Sequence, residues 1–271
     1  MRPTDGDAWA LVQRHIFPGK TDPTSFYERK RWAMLFSEML EEPHQVVVEI
    51  GSGWGLGTRC MANAPGIGVA IGVDADAVGS LVDAPRVGRP PEFVQANVEG
   101  TLPFRPGSVD CMIAPEVYEH FYHPALFFQE AHRVLRPGGR LILTTPNTES
   151  IALMVLRRLP RRWAQRMLTR EGDAKKHLHP EFFGDLSTGG PHGHRVEGAS
   201  LMEMERMAAQ YGFRQVRATT WGLPFAGPAW EKMPRPMREF LLGRFHALAV
   251  GLRHIFVVWK RDDEPVKSRA A

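Results

Sequence analysis

At 271 residues and 43% hydrophobic content, the chain can bury a full core as one large domain or two small ones. Its net charge of +4 arises from 34 lysines and arginines interleaved with 30 acids, so global charge points to no class of partner. Two cysteines exclude a disulfide scaffold, no stretch reaches the roughly 18 uninterrupted apolar residues that span a bilayer, and residues 1–7 lack a signal-peptide core, so a cytoplasmic protein is expected.

Residues 1–43 open with a polar leader and continue into a helix over about 26–40. Its apolar positions Trp32, Leu35, Phe36, Met39 and Leu40 keep a helical spacing, and it is expected to pack beside the mouth of a ligand site. Val46-Val47-Val48-Glu49-Ile50 then reads as a central parallel strand that runs directly into glycines at 51, 53, 55 and 57. Glycines just past such a strand let the backbone turn sharply and let a ligand touch the main chain. The dinucleotide fingerprint fails, because its third glycine falls on Leu56 counted from Gly51 and on Thr58 counted from Gly53. A second apolar run, residues 69–73, ends in Asp74, an acid placed to accept both hydrogen bonds of a ribose diol. A third unit covers 92–99, a fourth strand Cys111–Ala114, and Arg133–Gly139 is a helix end and tight turn into a strand over 140–145. Cys60 and Cys111 fall in the first helix after the loop and in the fourth strand, as small buried hydrophobes. Ser200-Leu201-Met202-Glu203 is a capping box that opens a helix through Tyr211, followed by strands over 215–220 and 254–260.

The pattern E-x-G-x-G-x-G, Asp74, Leu102-Pro103-Phe104 with Ser108-Val109-Asp110, and Arg133-Val134-Leu135-Arg136-Pro137-Gly138-Gly139 resembles the class I S-adenosylmethionine-dependent methyltransferases. The resemblance covers about residues 45–147 and resumes at 200–260. It implies an α/β fold: a doubly wound, Rossmann-like seven-stranded sheet, mostly parallel with an antiparallel last strand and helices on both faces. The methyltransferase domain is expected over 44–260, with insertions at about 148–199, a lid, and 221–252, and a disordered tail at 261–271. By the same resemblance Glu49, Gly51, Ser52, Gly53 and Gly55 hold the methionine end of S-adenosylmethionine, Asp74 and Ala75 the ribose, and Asn97 and Val98 the adenine, with Pro115 at the site's edge. Asn97 stands where the family usually has Asp, which keeps an acceptor but removes its charge.

Glu116, Glu119 and His120 stand at i, i+3 and i+4 just beyond the fourth strand, so a helical turn starting there would put all three on one face beside the methyl group. His120 suits a general base, and two carboxylates with an imidazole also suit a divalent cation, although no metal is expected. The E-x-x-E-H arrangement resembles quinone-pathway O-methyltransferases; against both roles stands simple capping and packing. His177, His179, His192 and His194 match no closed zinc site, although His194 is a candidate for lining the acceptor pocket. Arg157, Arg158, Arg161 and Arg162, interleaved with apolar residues, offer peripheral contact with an anionic membrane or substrate; no RNA-binding module accompanies them, and nucleic acid is not expected. The function expected is methyl transfer to oxygen or carbon of a small-molecule or lipid-like acceptor. The rivals are aminopropyl transfer on the same fold and a catalytically silent, cofactor-binding partner subunit.

Overall fold

The computed structural model describes residues 26–75, 88–147, 200–221 and 254–262, with the isolated positions 8, 10, 11, 158 and 234. The second insertion apart from Trp221 and Pro234, the tail beyond Asp262, the four histidines and the arginine-rich stretch lie outside the described residues, except that Arg158 is helical and exposed. The strands are β1 (His44–Ile50), β2 (Ile67–Asp74), β3 (Glu92–Gln95), β4 (Val109–Pro115), β5 (Leu135–Pro146), β6 (Phe213–Trp221) and β7 (His254–Arg261), in the order β3-β2-β1-β4-β5-β7-β6. β7 runs antiparallel to both neighbours, and the other six strands share one direction. This is the seven-stranded, mostly parallel sheet expected from the sequence.

Alternation along the central strands explains why both faces are covered. Val48, Met112, Leu141, Leu143 and Val257 point into one core, while Val47, Cys111, Ile113, Ile142, Phe256 and Val258 point into the other. The first core is closed by α3 (Pro124–Val134) and α4 (Leu201–Gln210), through residues such as Phe127, Phe128 and Met204. The second is closed by α1 (Phe26–Met39) and α2 (Leu56–Ala62), through Trp32, Leu35, Phe36, Cys60 and Met61. Helix α4 begins as its capping box requires, with Ser200 Oγ accepting from the Glu203 N–H at 3.4 Å. Both cysteines are fully buried free thiols.

At the amino ends of the strands, charged groups fasten the elements together. Arg140 on β5 donates to Glu41 at 2.9 Å, to Glu42 at 3.1 Å and to the Glu38 carbonyl at 3.0 Å, while Arg217 of β6 also reaches Glu38. These bonds clamp the C-terminal half of α1 to the sheet. Asp110 takes the backbone N–H groups of Gln45 and Val46, at 2.8 and 2.7 Å, and Arg136 Nε at 2.6 Å. The acid of the Ser108-Val109-Asp110 motif is therefore a joint between β4, β1 and β5. Replacing it, Asp110→Ala, is expected to cost about 2 kcal/mol, because strand donors lose a charged acceptor. Urea unfolding checks this; a variant as stable as the parent would show that water takes over the donors.

Two local expectations are corrected. β5 starts at Leu135, not at 140, and the Pro137-Gly138-Gly139 segment is a bulge within it: Leu135 pairs Val109, and the register then shifts so that Arg140 pairs Cys111. Gly138 supplies the left-handed φ of 71° that the bulge needs. Nor does a helical turn begin at Glu116. That residue adopts a left-handed φ of 53° and donates its N–H to the Thr144 carbonyl at 2.8 Å, so the ladder of β4 and β5 persists to this point. A 3-10 turn follows only at Tyr118–His120.

Candidate active site

The carboxyl ends of β1, β2 and β4 bring the candidate residues together, with Gly51 following β1, Asp74 ending β2 and Pro115 ending β4. Gly51, Gly53 and Gly55 all take left-handed φ, at 69°, 47° and 68°, which is why this loop is written in glycine. A Cβ on Gly51 would lie 2.7 Å from Val117 Cγ2, so the loop is pressed against the segment after β4. At Gly53 a Cβ would meet nothing within 4 Å: the space above this residue is open. Asp74 Oδ2 accepts the Gly53 N–H at 2.7 Å, tying the acid at the tip of β2 to the same loop. Ser52 is buried, and among the described residues its Oγ is enclosed without a hydrogen-bond partner.

Asn97 and Val98 follow β3, and Val98 joins the core while the Asn97 Oδ1 accepts from the Glu99 N–H at 3.0 Å. The amide oxygen expected to face adenine is thus also holding its own turn. Ala75 is exposed beside Asp74, and its carbonyl accepts from Gln95 Nε2 at 3.0 Å.

Glu49 lies under the loop, 2% exposed, and accepts a hydrogen bond from Thr58 Oγ1. Burial outweighs that bond and, with the Asp74 charge adding to it, pushes the carboxyl up to about 8 from an ordinary 4.5. The folded protein thus holds this proton more tightly than the unfolded chain. The stability it contributes is complete below about pH 4.5 and is lost as pH rises through about 8. Glu49→Gln is expected to remove this dependence, a difference on the order of 4 kcal/mol across that window. Unfolding curves of parent and variant between pH 5 and 9 check it; parallel curves would mean that the site relaxes around an ionised Glu49.

The three residues beyond β4 are separated by the late start of the turn. Tyr118, Glu119 and Phe121 are buried, and Glu119 Oε2 accepts from Thr145 Oγ1 at 2.9 Å. Glu116 faces α1, where Arg31 Nη1 lies 3.9 Å from its Oε2. His120 is the member of the turn left half-buried, and its N–H donates to the Val117 carbonyl. Among the described residues, no group of three His, Cys, Asp or Glu is placed to hold a metal ion.

Helix α1 contributes a wall that the motifs do not announce. A Cβ on Gly57 would lie 2.2 Å from Trp32 Cη2 and 2.5 Å from Glu49 Oε1, so the fourth glycine exists to let Trp32 and Glu49 close over it. Arg31 and Trp32 are the site residues that motif reading leaves out. Their signal was positional: Trp32 begins the apolar stripe, and Arg31 stands one step around the helix at its edge.

Residues 48–143 match the family model of a methyltransferase domain. A probable S-adenosylmethionine-dependent methyltransferase of Mycobacterium tuberculosis strain H37Rv is 37% identical over 102 residues, 37% of this chain and 35% of that protein. The chloroplastic tocopherol O-methyltransferase of Arabidopsis thaliana is 32% identical over 122 residues, 44% of this chain and 35% of that one. The chain thus spans about a third of the length of the curated relatives it matches. In fold it is similar to Haemonchus contortus phosphoethanolamine N-methyltransferase 2 in complex with S-adenosyl-L-methionine, with a TM-score of 0.55 and 14% identity over 96% of this chain and 58% of that one. Residues 48–143 thus carry a methyltransferase domain, similar to those of the class I S-adenosylmethionine-dependent methyltransferase family. The family's cosubstrate is S-adenosylmethionine. The residues present fit it: an orphaned serine hydroxyl, left-handed glycines under open space, and an acid at the tip of β2.

Proposed function

We propose that the protein transfers a methyl group from S-adenosylmethionine to a small-molecule or lipid-like acceptor, at oxygen in preference to carbon. The observation that carries this reading is the Gly51–Gly55 loop, open above Gly53 and tied to Asp74, within a matched methyltransferase domain. The oxygen acceptor is supported by the likeness to an enzyme named for tocopherol O-methylation.

Methyl transfer is an in-line displacement: the bond between methyl carbon and sulfur breaks as that between carbon and the acceptor oxygen forms. Most of the rate then comes from holding the reactants collinear out of water. In our reading Glu49, Gly51, Ser52, Gly53 and Gly55 hold the methionine end, Asp74 and Ala75 the ribose, and Asn97, Val98 and Pro115 the remaining edge. His120 takes the hydroxyl proton as the acceptor is methylated. Glu119, fixed by Thr145, anchors the turn that aims His120, and Glu116 borders the same mouth. Residues 148–199, which apart from Arg158 lie outside the described residues, are assigned acceptor choice in this reading, with Arg157, Arg158, Arg161 and Arg162 as the charges for an anionic acceptor group or a membrane surface. Among the described residues no helix is long and apolar enough to cross a membrane, and we assign the protein to the cytoplasm.

Incubation with methyl-labelled S-adenosylmethionine and a metabolite extract tests the reading. Label in a hydroxyl-derived ether, with S-adenosylhomocysteine released, is the expected result. Cosubstrate binding without transfer to any metabolite would instead describe a silent subunit, and turnover of decarboxylated cosubstrate with a polyamine would describe an aminopropyl transferase.

A further inference from the structure

The segment that leaves β3 is strapped to α3 at both ends. Its far end is held by Glu130, which accepts the Leu102 N–H at 2.7 Å, and by Arg133, which donates to the Phe104 and Leu102 carbonyls at 2.9 and 3.0 Å. At the near end Glu99 Oε1 accepts the N–H of His123, the cap residue of α3. His123 makes no side-chain capping bond of its own, and Pro124 follows it without an N–H. A carboxylate from another segment therefore sits at the helix start, where its charge is favoured. The backbone of Glu99 faces the other way: its N–H donates to Asn97 Oδ1 at 3.0 Å, and the Gly100 N–H closes the same turn on the Asn97 carbonyl at 3.0 Å. One residue thus joins the turn expected to face adenine to the helix that follows the Tyr118–His120 turn. Asn97 is exposed and Glu99 half-buried, so water competes for these bonds, and whatever orders the Asn97 turn lowers the entropy cost of the reach to His123.

We propose that Glu99 is a positioning residue that carries occupancy of the adenine end of the site to the start of α3 and, through it, to the turn that bears His120. This rests on S-adenosylmethionine being the methyl donor, with its adenine at Asn97 and Val98. A ligand shifts the helix start only if it binds the arrangement with Glu99 docked on His123 more tightly than the undocked one, and the base does so by favouring the Asn97 turn that Glu99 closes. The same linkage requires a docked Glu99 to raise affinity for the cosubstrate. Glu130 and Arg133 hold the other end of the strap and take no part in this signal.

Hydrogen exchange at residues 123–128, read by mass spectrometry, tests it with two ligands: S-adenosylhomocysteine, and 5′-methylthioadenosine, which keeps the adenine but lacks the amino-acid end. In the parent, saturation with either is expected to slow exchange there by about 3- to 10-fold, the scale of one hydrogen bond. In Glu99→Ala the effect should shrink to no more than about 1.5-fold, although both ligands still bind and S-adenosylhomocysteine still protects residues 51–55. Glu99→Gln, which keeps an acceptor without the charge, should fall between. Glu130→Gln is the control, expected to lower the melting temperature yet leave the ligand effect at 123–128 in place. A full ligand effect in Glu99→Ala, or none in the parent, would overturn the proposal, and so would equal loss in Glu130→Gln, which would make both residues plain staples. Protection by S-adenosylhomocysteine alone would also overturn it, because the signal would then enter through the glycine loop and Val117. Should Glu99→Ala fail to fold, the comparison is read from Glu99→Gln, where an undiminished effect counts against the proposal. A parent that binds neither ligand would defeat the cosubstrate reading and this proposal with it, whereas binding of both with an indifferent Glu99 defeats the proposal alone.

Discussion

Gly53→Asp is expected to lower affinity for S-adenosylmethionine and S-adenosylhomocysteine by at least about 100-fold while the protein stays folded. A side chain at this position meets no protein atom within 4 Å, so the packing has no reason to fail. The backbone cost of a left-handed φ of 47° is modest for Asp, about 1 kcal/mol. What changes is the ligand's space: the new carboxylate enters it beside Asp74, which already holds the Gly53 N–H at 2.7 Å. Gly57→Ala makes the contrast. There a Cβ would collide with Trp32 at 2.2 Å and with Glu49 at 2.5 Å, so stability should suffer first. Melting curves and calorimetry on both variants separate the two roles. Undiminished binding by a folded Gly53→Asp protein would sink the placement of the cosubstrate over this loop.

His120→Ala is expected to reduce turnover by about two to four orders of magnitude, the scale of a lost general base, with cosubstrate affinity nearly unchanged. The selection of His120 within its turn is structural. Tyr118 and Phe121 belong to the aromatic cluster with Phe128 and Phe127, and Glu119 is spent on Thr145, whereas His120 remains half-buried. A packing role would predict the reverse pattern, a lower melting temperature with normal turnover per folded molecule. Full activity in a folded His120→Ala enzyme would remove it from the mechanism, and activity that survives strong chelation would remove any metal.

The parts of the fold that sequence made legible are those in which one local rule decides the outcome. Val46–Val48 has no polar face and became a central strand, and the Ser200 and Glu203 pair set the start of α4. The acid ending β2 lies beside the loop because strand ends in such sheets converge there. Failures came where neighbours override local preference. Glu116 is held left-handed as the ladder with Thr144 continues one residue past β4, which no spacing rule for i, i+3 and i+4 foresees. The bulge at 136–139 likewise depends on register against Val109 and Cys111. Arg31 and Trp32 reach the site across more than twenty residues of chain, and no motif joins them to Gly57 or Glu116.

The closure of Trp32 over Gly57 means that the smallest piece containing all seven strands is not the smallest working piece. A fragment starting at residue 44 would retain the glycine loop, Asp74 and the turn after β4, yet it would lack the indole that roofs Glu49. Water reaching that carboxylate would let it ionise at an ordinary pH, and the loop would sit above a hydrated trough instead of a dry floor. Anyone trimming, fusing or transplanting this domain should therefore treat α1 as indivisible from it.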